Sequence, residues 1–337
     1  MSGAAAELGH VPVLLDEAIA ALDPQPGGLY LDATFGAGGY SRALLTRGAR
    51  VVAIDRDPSA VRAGATLAAS SGDRLRLTEA RFGELDAAAS RLGADTVDGV
   101  VFDIGVSSMQ LDEAARGFSL RFDAPLDMRM EGRGRSAGDI LRDEDEGTIA
   151  DILYHFGEER AARRIARAIV ADRTAKPFAS TLELAALIAR VAPARRGETT
   201  HPATRAFQAL RIAVNDELGE LVRGLSAAER LLRPGGRLAV VTFHSLEDRI
   251  VKQFLASRSG KGRAVSRRLP GEPAEAEPTF EVPRGQPIEP GAAEALSNPR
   301  SRSAKLRYGL RAGGRARATD QAIEALARLP ARRGRAS

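Results

Sequence analysis

The sequence predicts an α/β protein: a nucleotide-binding, mostly parallel sheet with an all-helical segment inserted between its fourth and fifth strands. Three observations carry this. Short apolar runs end in a carboxylate, at Asp32, Asp55 and Asp103. The first is followed by a glycine loop, Thr34-Phe35-Gly36-Ala37-Gly38-Gly39, and then by a helical stretch. No strand-like run interrupts residues 136–232. Strand, turn, helix, strand is the order of a parallel unit.

The elements follow in order. His10-Val11-Pro12-Val13-Leu14-Leu15 leads into Asp16-Glu17-Ala18-Ile19, where an acidic first turn predicts a short helix. Residues 23–28 hold two prolines and two glycines and predict a turn. Leu29-Tyr30-Leu31 is the first strand, closed by Asp32; residues 40–47 are helical, and 51–54 form the second strand, ending in Asp55. Glycine lets the loop turn tightly and lets backbone approach a ligand without a Cβ in the way. Asp55 lies 17 residues after Gly38, about where a carboxylate meets the ribose hydroxyls of an adenosine.

Residues 58–69 are helical and 74–78 form the third strand. Phe82 follows it; such a ring can stack on adenine or fill the core. Residues 96–102 are the fourth strand, ending in Asp103 and a small-residue loop over 104–112. Ligands of open α/β sheets bind outside the carboxyl ends of the strands, where this loop lies. Residues 116–145 are polar, Gly-rich and loop-like, and 145–173 turn helical. Arg160, Arg163, Arg164 and Arg167 share a face of that helix. With Glu158 and Glu159 adjacent, a solvated ion-paired surface is expected there, a phosphate grip being the alternative.

Ser180-Thr181-Leu182-Glu183 has the spacing of a capping box. His201-Pro202-Ala203-Thr204 opens a helical stretch reaching about Leu232. Leu231-Leu232-Arg233-Pro234-Gly235-Gly236 makes a helix stop and turn before the fifth strand, 237–243. His244-Ser245-Leu246-Glu247-Asp248 stands at its carboxyl end. Residues 250–256 are helical, 257–299 form a mobile loop rich in Pro, Gly and Glu, 304–310 are the last strand, and 321–329 a terminal helix.

Composition narrows the class. At 337 residues and 44% hydrophobic, the chain holds one large domain or two small ones. Cys is absent, which excludes disulfides, thiolate metal sites and the zinc deaminases. The four histidines, His10, His155, His201 and His244, are scattered, so no metal is expected. No signal peptide is visible, and no apolar run approaches the ~20 residues of a membrane span. The expectation is a soluble, cytoplasmic protein with no membrane partner. The net charge is +5, but from Arg300 onward eleven Lys and Arg face two Asp and Glu. A basic tail on a balanced body points to an anionic partner, nucleic acid, or to a solvated tail.

The glycine loop is an incomplete dinucleotide fingerprint, because the sixth position from Gly36 is Ser41. Read from Asp32 as acidic-x-x-x-G-x-G, it is similar to the first motif of S-adenosylmethionine methyltransferases, with Thr34 where a glycine often sits. Further blocks sharpen this: His10 to Glu17, Asp32-Ala33-Thr34-Phe35-Gly36-Ala37-Gly38-Gly39-Tyr40-Ser41, Asp55-Arg56-Asp57-Pro58, Gly105-Val106-Ser107-Ser108 with Gln110-Leu111-Asp112, Arg116-Gly117-Phe118-Ser119, and Pro125 to Met130. Gly157-Glu158-Glu159-Arg160, His201 to Arg205, Thr242 to Arg249 and Asn298-Pro299-Arg300 complete the series. Together they resemble the bacterial RsmH/MraW family of small-subunit ribosomal RNA cytosine-N4 methyltransferases, over nearly the whole chain. Departures are Ile104 for Leu, Ala124 for Gly, and a long Pro-rich segment before Asn298.

The resemblance implies a class I, Rossmann-like methyltransferase with domain parts at 1–112 and 216–310, a substrate-recognition helical insert at 113–215 and a basic tail at 311–337. It implies S-adenosylmethionine as cofactor, held by Gly36, Gly38, Gly39 and Tyr40 at the loop. Asp55 would take the ribose, Phe82 the adenine, and Asp103 and Gln110 the methionine side. The partner would be 16S ribosomal RNA within the small subunit, and a homodimer is a further assembly it allows. Cytosine's amine is a weak nucleophile, so an acceptor must hold an amine hydrogen and turn the lone pair to the methyl group. Asp103 is the candidate, without the Pro-Pro-aromatic that follows this position in DNA amino methyltransferases; His244 is the second. Arg300, Arg302, Lys305 and the insert's arginines are candidates for RNA backbone contacts. The rival readings are a small-molecule methyltransferase, an RNA-binding assembly factor with a silent fold, and a nicotinamide dehydrogenase.

Overall fold

A computed structural model describes residues 12–194, 197, 200–260 and 277–330. His10 and Val11, residues 261–276 of the expected loop, and the tail beyond 330 lie outside the described residues. Two compact units emerge. One runs to Gly105 and resumes over Gly219–Leu326; the other takes Val106–Leu218 and residues 327–330. The second is slightly wider than the 113–215 span expected for the insert.

The first unit is built on a seven-stranded sheet. Its strands are β1 (Leu29–Asp32), β2 (Arg50–Asp55), β3 (Leu75–Glu79), β4 (Val97–Asp103), β5 (Leu232–Thr242), β6 (Phe280–Glu281) and β7 (Lys305–Arg311). Their order is β3-β2-β1-β4-β5-β7-β6. β1 to β5 run parallel, while β7 lies antiparallel to both β5 and β6. The central strands are apolar without alternation because helices cover both faces of a parallel sheet. Val51-Val52-Ala53-Ile54 and Leu238-Ala239-Val240-Val241 are all buried. The chain leaves β1 for β2 on one side and reaches β4 on the other, which makes β1/β4 the switch point where such sheets bind ligands. Register pairs Asp32 with Ala53 and Val101, and Asp103 with Val241, so the strand-end carboxylates stand at one edge.

Several boundaries differ from the expectation, each for a local reason. β5 begins at Leu232, so the Pro-Gly-Gly turn lies inside the strand, at an irregularity in its pairing with β4, with Gly235 at φ 81°. The stretch 277–299 is not a featureless loop. It contributes β6 on the edge of β7 and a helix over Ala292–Ser297. The basic segment after 310 is also packed in part. Arg311 is buried and donates to the carbonyls of Glu229, Thr279 and Gly314, and Arg317 donates to that of Ser257.

The second unit is helical, with helices over Ser108–Asp112, Ala137–Asp143, Glu146–Gly157, Ala162–Arg173, Thr181–Val191 and Thr204–Asn215. Ser107 and Ser136 cap the first two through capping boxes with Gln110 and Asp139, which turns two expected loops into short helices. The expected helix over 145–173 is two, because Glu158 enters the left-handed region at φ 49°. Asp216, at φ 50°, likewise divides the helical stretch expected to reach about Leu232. Gly157 lets helix Thr204–Asn215 approach closely; a Cβ there would stand 2.5 Å from the Arg205 carbonyl oxygen.

In helix Pro58–Ser71, alanine would ordinarily be favoured over Gly64 by about 1 kcal/mol. A Cβ at Gly64 would, however, stand 2.4 Å from Leu77 Cδ2 and 2.5 Å from Phe35 Cε1. Overpacking of about 1–3 kcal/mol should win. Gly64→Ala is therefore expected to lower the urea midpoint, whereas a raised midpoint would contradict the packing.

Candidate active site

The site begins with Asp32, which ends β1 with no solvent exposure. Its Oδ1 accepts the Thr34 N–H at 3.2 Å and its Oδ2 accepts the Ser41 hydroxyl at 2.7 Å. One carboxylate thus ties the start of the glycine loop to the helix that follows it, Gly39–Thr46. The Thr34 hydroxyl in turn accepts the backbone N–H of Asp103 at 2.7 Å, joining the ends of β1 and β4 across the switch point.

The loop is clamped from the other side by Asp55. Its Oδ2 accepts the Gly36 N–H at 2.7 Å and its Oδ1 the Asp57 N–H at 2.8 Å. Each oxygen keeps acceptor capacity for a further donor. Gly36 and Gly38 take φ of 52° and 79°. The glycines differ in what surrounds them. A Cβ at Gly39 would stand 2.1 Å from Pro12 Cγ and one at Gly38 2.8 Å from the Phe35 ring, whereas beside Gly36 nothing comes nearer than 3.9 Å. Gly36 is therefore where the loop backbone is uncovered, while Gly38 and Gly39 allow close packing within the protein.

Asp103 ends β4, followed by Ile104 and by Gly105 at φ 121°. Its Oδ1 is shielded from solvent and, among the described residues, accepts no hydrogen bond. Burial, then the charges of Asp32 and Glu247, push the Asp103 carboxyl up to about 8. Burial likewise raises Asp32 and Asp55 to about 6, partly opposed by the hydrogen bonds they accept. No ion pair with Lys or Arg reaches these three carboxyls among the described residues. The strand ends therefore gather negative charge that burial penalises, and a cation would relieve it.

His244 is the N-cap of helix Ser245–Arg258, and its Nδ1 accepts the Glu247 N–H at 3.4 Å. Glu247, fully buried, returns the contact by accepting the N–H groups of Phe243 and His244. His244 Nε2 stands 3.0 Å from Glu247 Oε1, though outside hydrogen-bond alignment.

The other expected site residues are placed as follows. Tyr40 is buried and its hydroxyl donates to the Val13 carbonyl at 2.6 Å, tying the turn before helix Leu15–Leu22 to the loop. Phe82 is buried edge-on to Phe102, ring centroids 5.8 Å apart, and packs over Gly224. Gln110 lies in the second unit, where its Oε1 accepts the Ser107 N–H at 3.0 Å. The structure thus brings Gly36, Asp55 and Asp103 around one loop. Sequence reasoning missed Asp32, Thr34, Ser41 and Glu247 as site residues. Glu247 had a signal, since its place three residues after His244 is capping-box spacing.

A parallel sheet whose ligand end gathers buried negative charge around a glycine loop is that of a class I methyltransferase. The MraW methylase family model matches residues 7–311. A Ribosomal RNA small subunit methyltransferase H from Methylocella silvestris is 66% identical over 96% of this chain and 93% of its own length. Another of that name, from Beijerinckia indica, is 63% identical over 95% of this chain and 90% of its own. The chain belongs to the MraW methylase family, and its cofactor is S-adenosylmethionine. The residues present fit that molecule. Its sulfonium and ammonium groups are cations for the strand-end carboxyls, Asp103 Oδ1 has acceptor capacity in reserve, and Gly36 leaves the loop open. No described helix is long and apolar enough to cross a membrane.

The buried carboxyls make stability depend on pH. All three ionise at higher pH folded than unfolded, so their contribution is full below about pH 4 and is lost as pH rises through about 6 for Asp32 and Asp55, and about 8 for Asp103. Each pH unit inside such a window is worth up to about 1.4 kcal/mol. Ligand-free Asp103→Asn is expected to lose less stability than the parent between about pH 5 and pH 8, measured by urea unfolding. Parallel losses would remove Asp103 as the titrating group.

Proposed function

We propose that this chain methylates the exocyclic N4 amine of a cytosine in the decoding region of 16S ribosomal RNA, in the cytoplasm, with the small subunit or its RNA as substrate. The observation that carries the reading is the Asp103 carboxyl, with one buried oxygen that accepts no hydrogen bond among the described residues, its backbone N–H held at the switch point by Thr34. The names of the relatives, ribosomal RNA small subunit methyltransferases, support the substrate class.

The cofactor supplies an electrophilic methyl group on a sulfonium. The chain supplies position and charge. Asp55 and Gly36 hold the nucleoside end, the carboxylate taking ribose hydroxyls through its remaining lone pairs. Asp103 accepts an amine hydrogen of the cytosine through Oδ1, which turns the nitrogen lone pair towards the methyl group. Held in line, the two reacting atoms need little further ordering. Asp103 serves this role as the anion, the form that neighbouring positive charge favours. His244 already accepts a hydrogen bond at Nδ1 and is proposed as a positioning residue for the start of helix Ser245–Arg258. The target base must leave its stack to reach such a site, so the RNA is bound extruded or single-stranded.

Incubation with labelled S-adenosylmethionine and either small subunits or naked 16S RNA, followed by nucleoside mapping, is expected to give N4-methylcytidine. Asp55→Ala should abolish labelling through lost cofactor affinity. Asp103→Ala should lower kcat by about 10²-fold or more while RNA binding persists. Label on another nucleoside, or undiminished turnover in Asp103→Ala, would overturn the reading.

A further inference from the structure

Within the insert, an open cavity of about 740 Å³ lies at the turn between helices Glu146–Gly157 and Ala162–Arg173. Asp151, Tyr154, His155, Arg160, Arg163 and Arg164 line it. Tyr154 is 57% exposed, large for an aromatic ring, and stands edge-on to the His155 ring at 5.0 Å. Among the described residues, no ion pair joins Arg160, Arg163 or Arg164 to Glu158 or Glu159. Arg167 does approach Glu146, at 3.6 Å. Glu159 instead accepts the Ala161 N–H at 2.7 Å. Among the described residues, Arg160, Arg163 and Arg164 have neither an ion pair nor a hydrogen bond from their side chains.

This placement works against local stability. Arg163 and Arg164 sit in the first turn of helix Ala162–Arg173, which has no acidic residue there. Cations at that end oppose the helix dipole, and like charges this close repel. An exposed aromatic face beside guanidinium groups without anionic partners is the composition of a single-strand nucleic-acid platform. Bases stack on the ring while cations track the phosphates.

We propose that this cavity is an RNA subsite built wholly from the insert. A single-stranded nucleotide outside the reacting cytosine stacks its base on Tyr154 and sets its phosphates against Arg160, Arg163 and Arg164. The proposal rests on the RNA reading above and adds where the strand is gripped.

The test uses the full chain and a fluorescein-labelled, single-stranded oligoribonucleotide of mixed sequence, titrated by anisotropy over a range of salt. Tyr154→Ala is expected to weaken binding roughly five- to a hundredfold, and Tyr154→Phe to restore it, because stacking needs the ring and not the hydroxyl. The triple change Arg160→Ala, Arg163→Ala, Arg164→Ala should reduce the slope of log affinity against log salt by about 2. Affinity for S-adenosylhomocysteine, measured in parallel, should be unchanged in every variant, which reports intact folding of the first unit. If the parent chain binds the oligoribonucleotide and these variants bind it equally well with the same slope, the subsite is overturned while the RNA reading stands. If those variants lose methylation only on assembled subunits, the cavity docks a protein, and the proposal is again overturned. If the parent chain neither binds nor methylates RNA, both readings fall.

Discussion

The carboxylate of Asp32 is the fixed point of the ligand end. It is fully buried and holds the Thr34 N–H and the Ser41 hydroxyl, and through Thr34 the end of β4. A buried carboxyl with two neutral donors is a costly way to close a loop. An apolar residue there would pack as well but would leave Thr34 and Ser41 without their acceptor. The cost also has an electrostatic consequence, because the Asp32 charge raises Asp103. Loop geometry and the readiness of Asp103 for a cation are therefore two effects of one side chain.

A second charged network has a structural role. Arg258, almost fully buried, pairs with Glu229 at 3.1 Å and donates to the Ala318 carbonyl. Arg311 donates to the Glu229 carbonyl, and Arg307 grips Asp248 through two hydrogen bonds. These arginines knit β7 and the following chain to helices of the first unit. Part of the basic C-terminal composition is thus committed to internal hydrogen bonds, and total charge overstates what faces a partner. In the insert the reverse holds, where, among the described residues, Arg160, Arg163 and Arg164 have no side-chain ion pair despite Glu residues adjacent in sequence.

Much of this could be read before the structure. Apolar runs ending in Asp32, Asp55 and Asp103 located β1, β2 and β4 to within a residue or two, because a strand buried on both faces has no other composition. Breaks at Glu158 and Asp216 were not legible, since residues other than glycine enter the left-handed region only when tertiary packing holds them there. The edge strand Phe280–Glu281 is two residues long, too short for periodicity to report. Within the candidate site, residue type pointed to Asp55 and the glycines. It did not reveal that Gly39 serves contact with Pro12, that Tyr40 anchors Val13, or that Phe82 is buried edge-on to Phe102. A glycine or an aromatic next to a ligand loop looks the same in sequence whether it faces ligand or core.

The central claim is that buried strand-end carboxyls, Asp103 above all, are held ready for a cation. Calorimetric titration with S-adenosylmethionine and with neutral-sulfur S-adenosylhomocysteine, near pH 7 in buffers of different ionisation enthalpy, counts the protons exchanged on binding. The account expects S-adenosylmethionine to release more protons than its demethylated product, and the difference to vanish in Asp103→Asn. Equal proton counts for the two ligands, or no affinity for either, would contradict it.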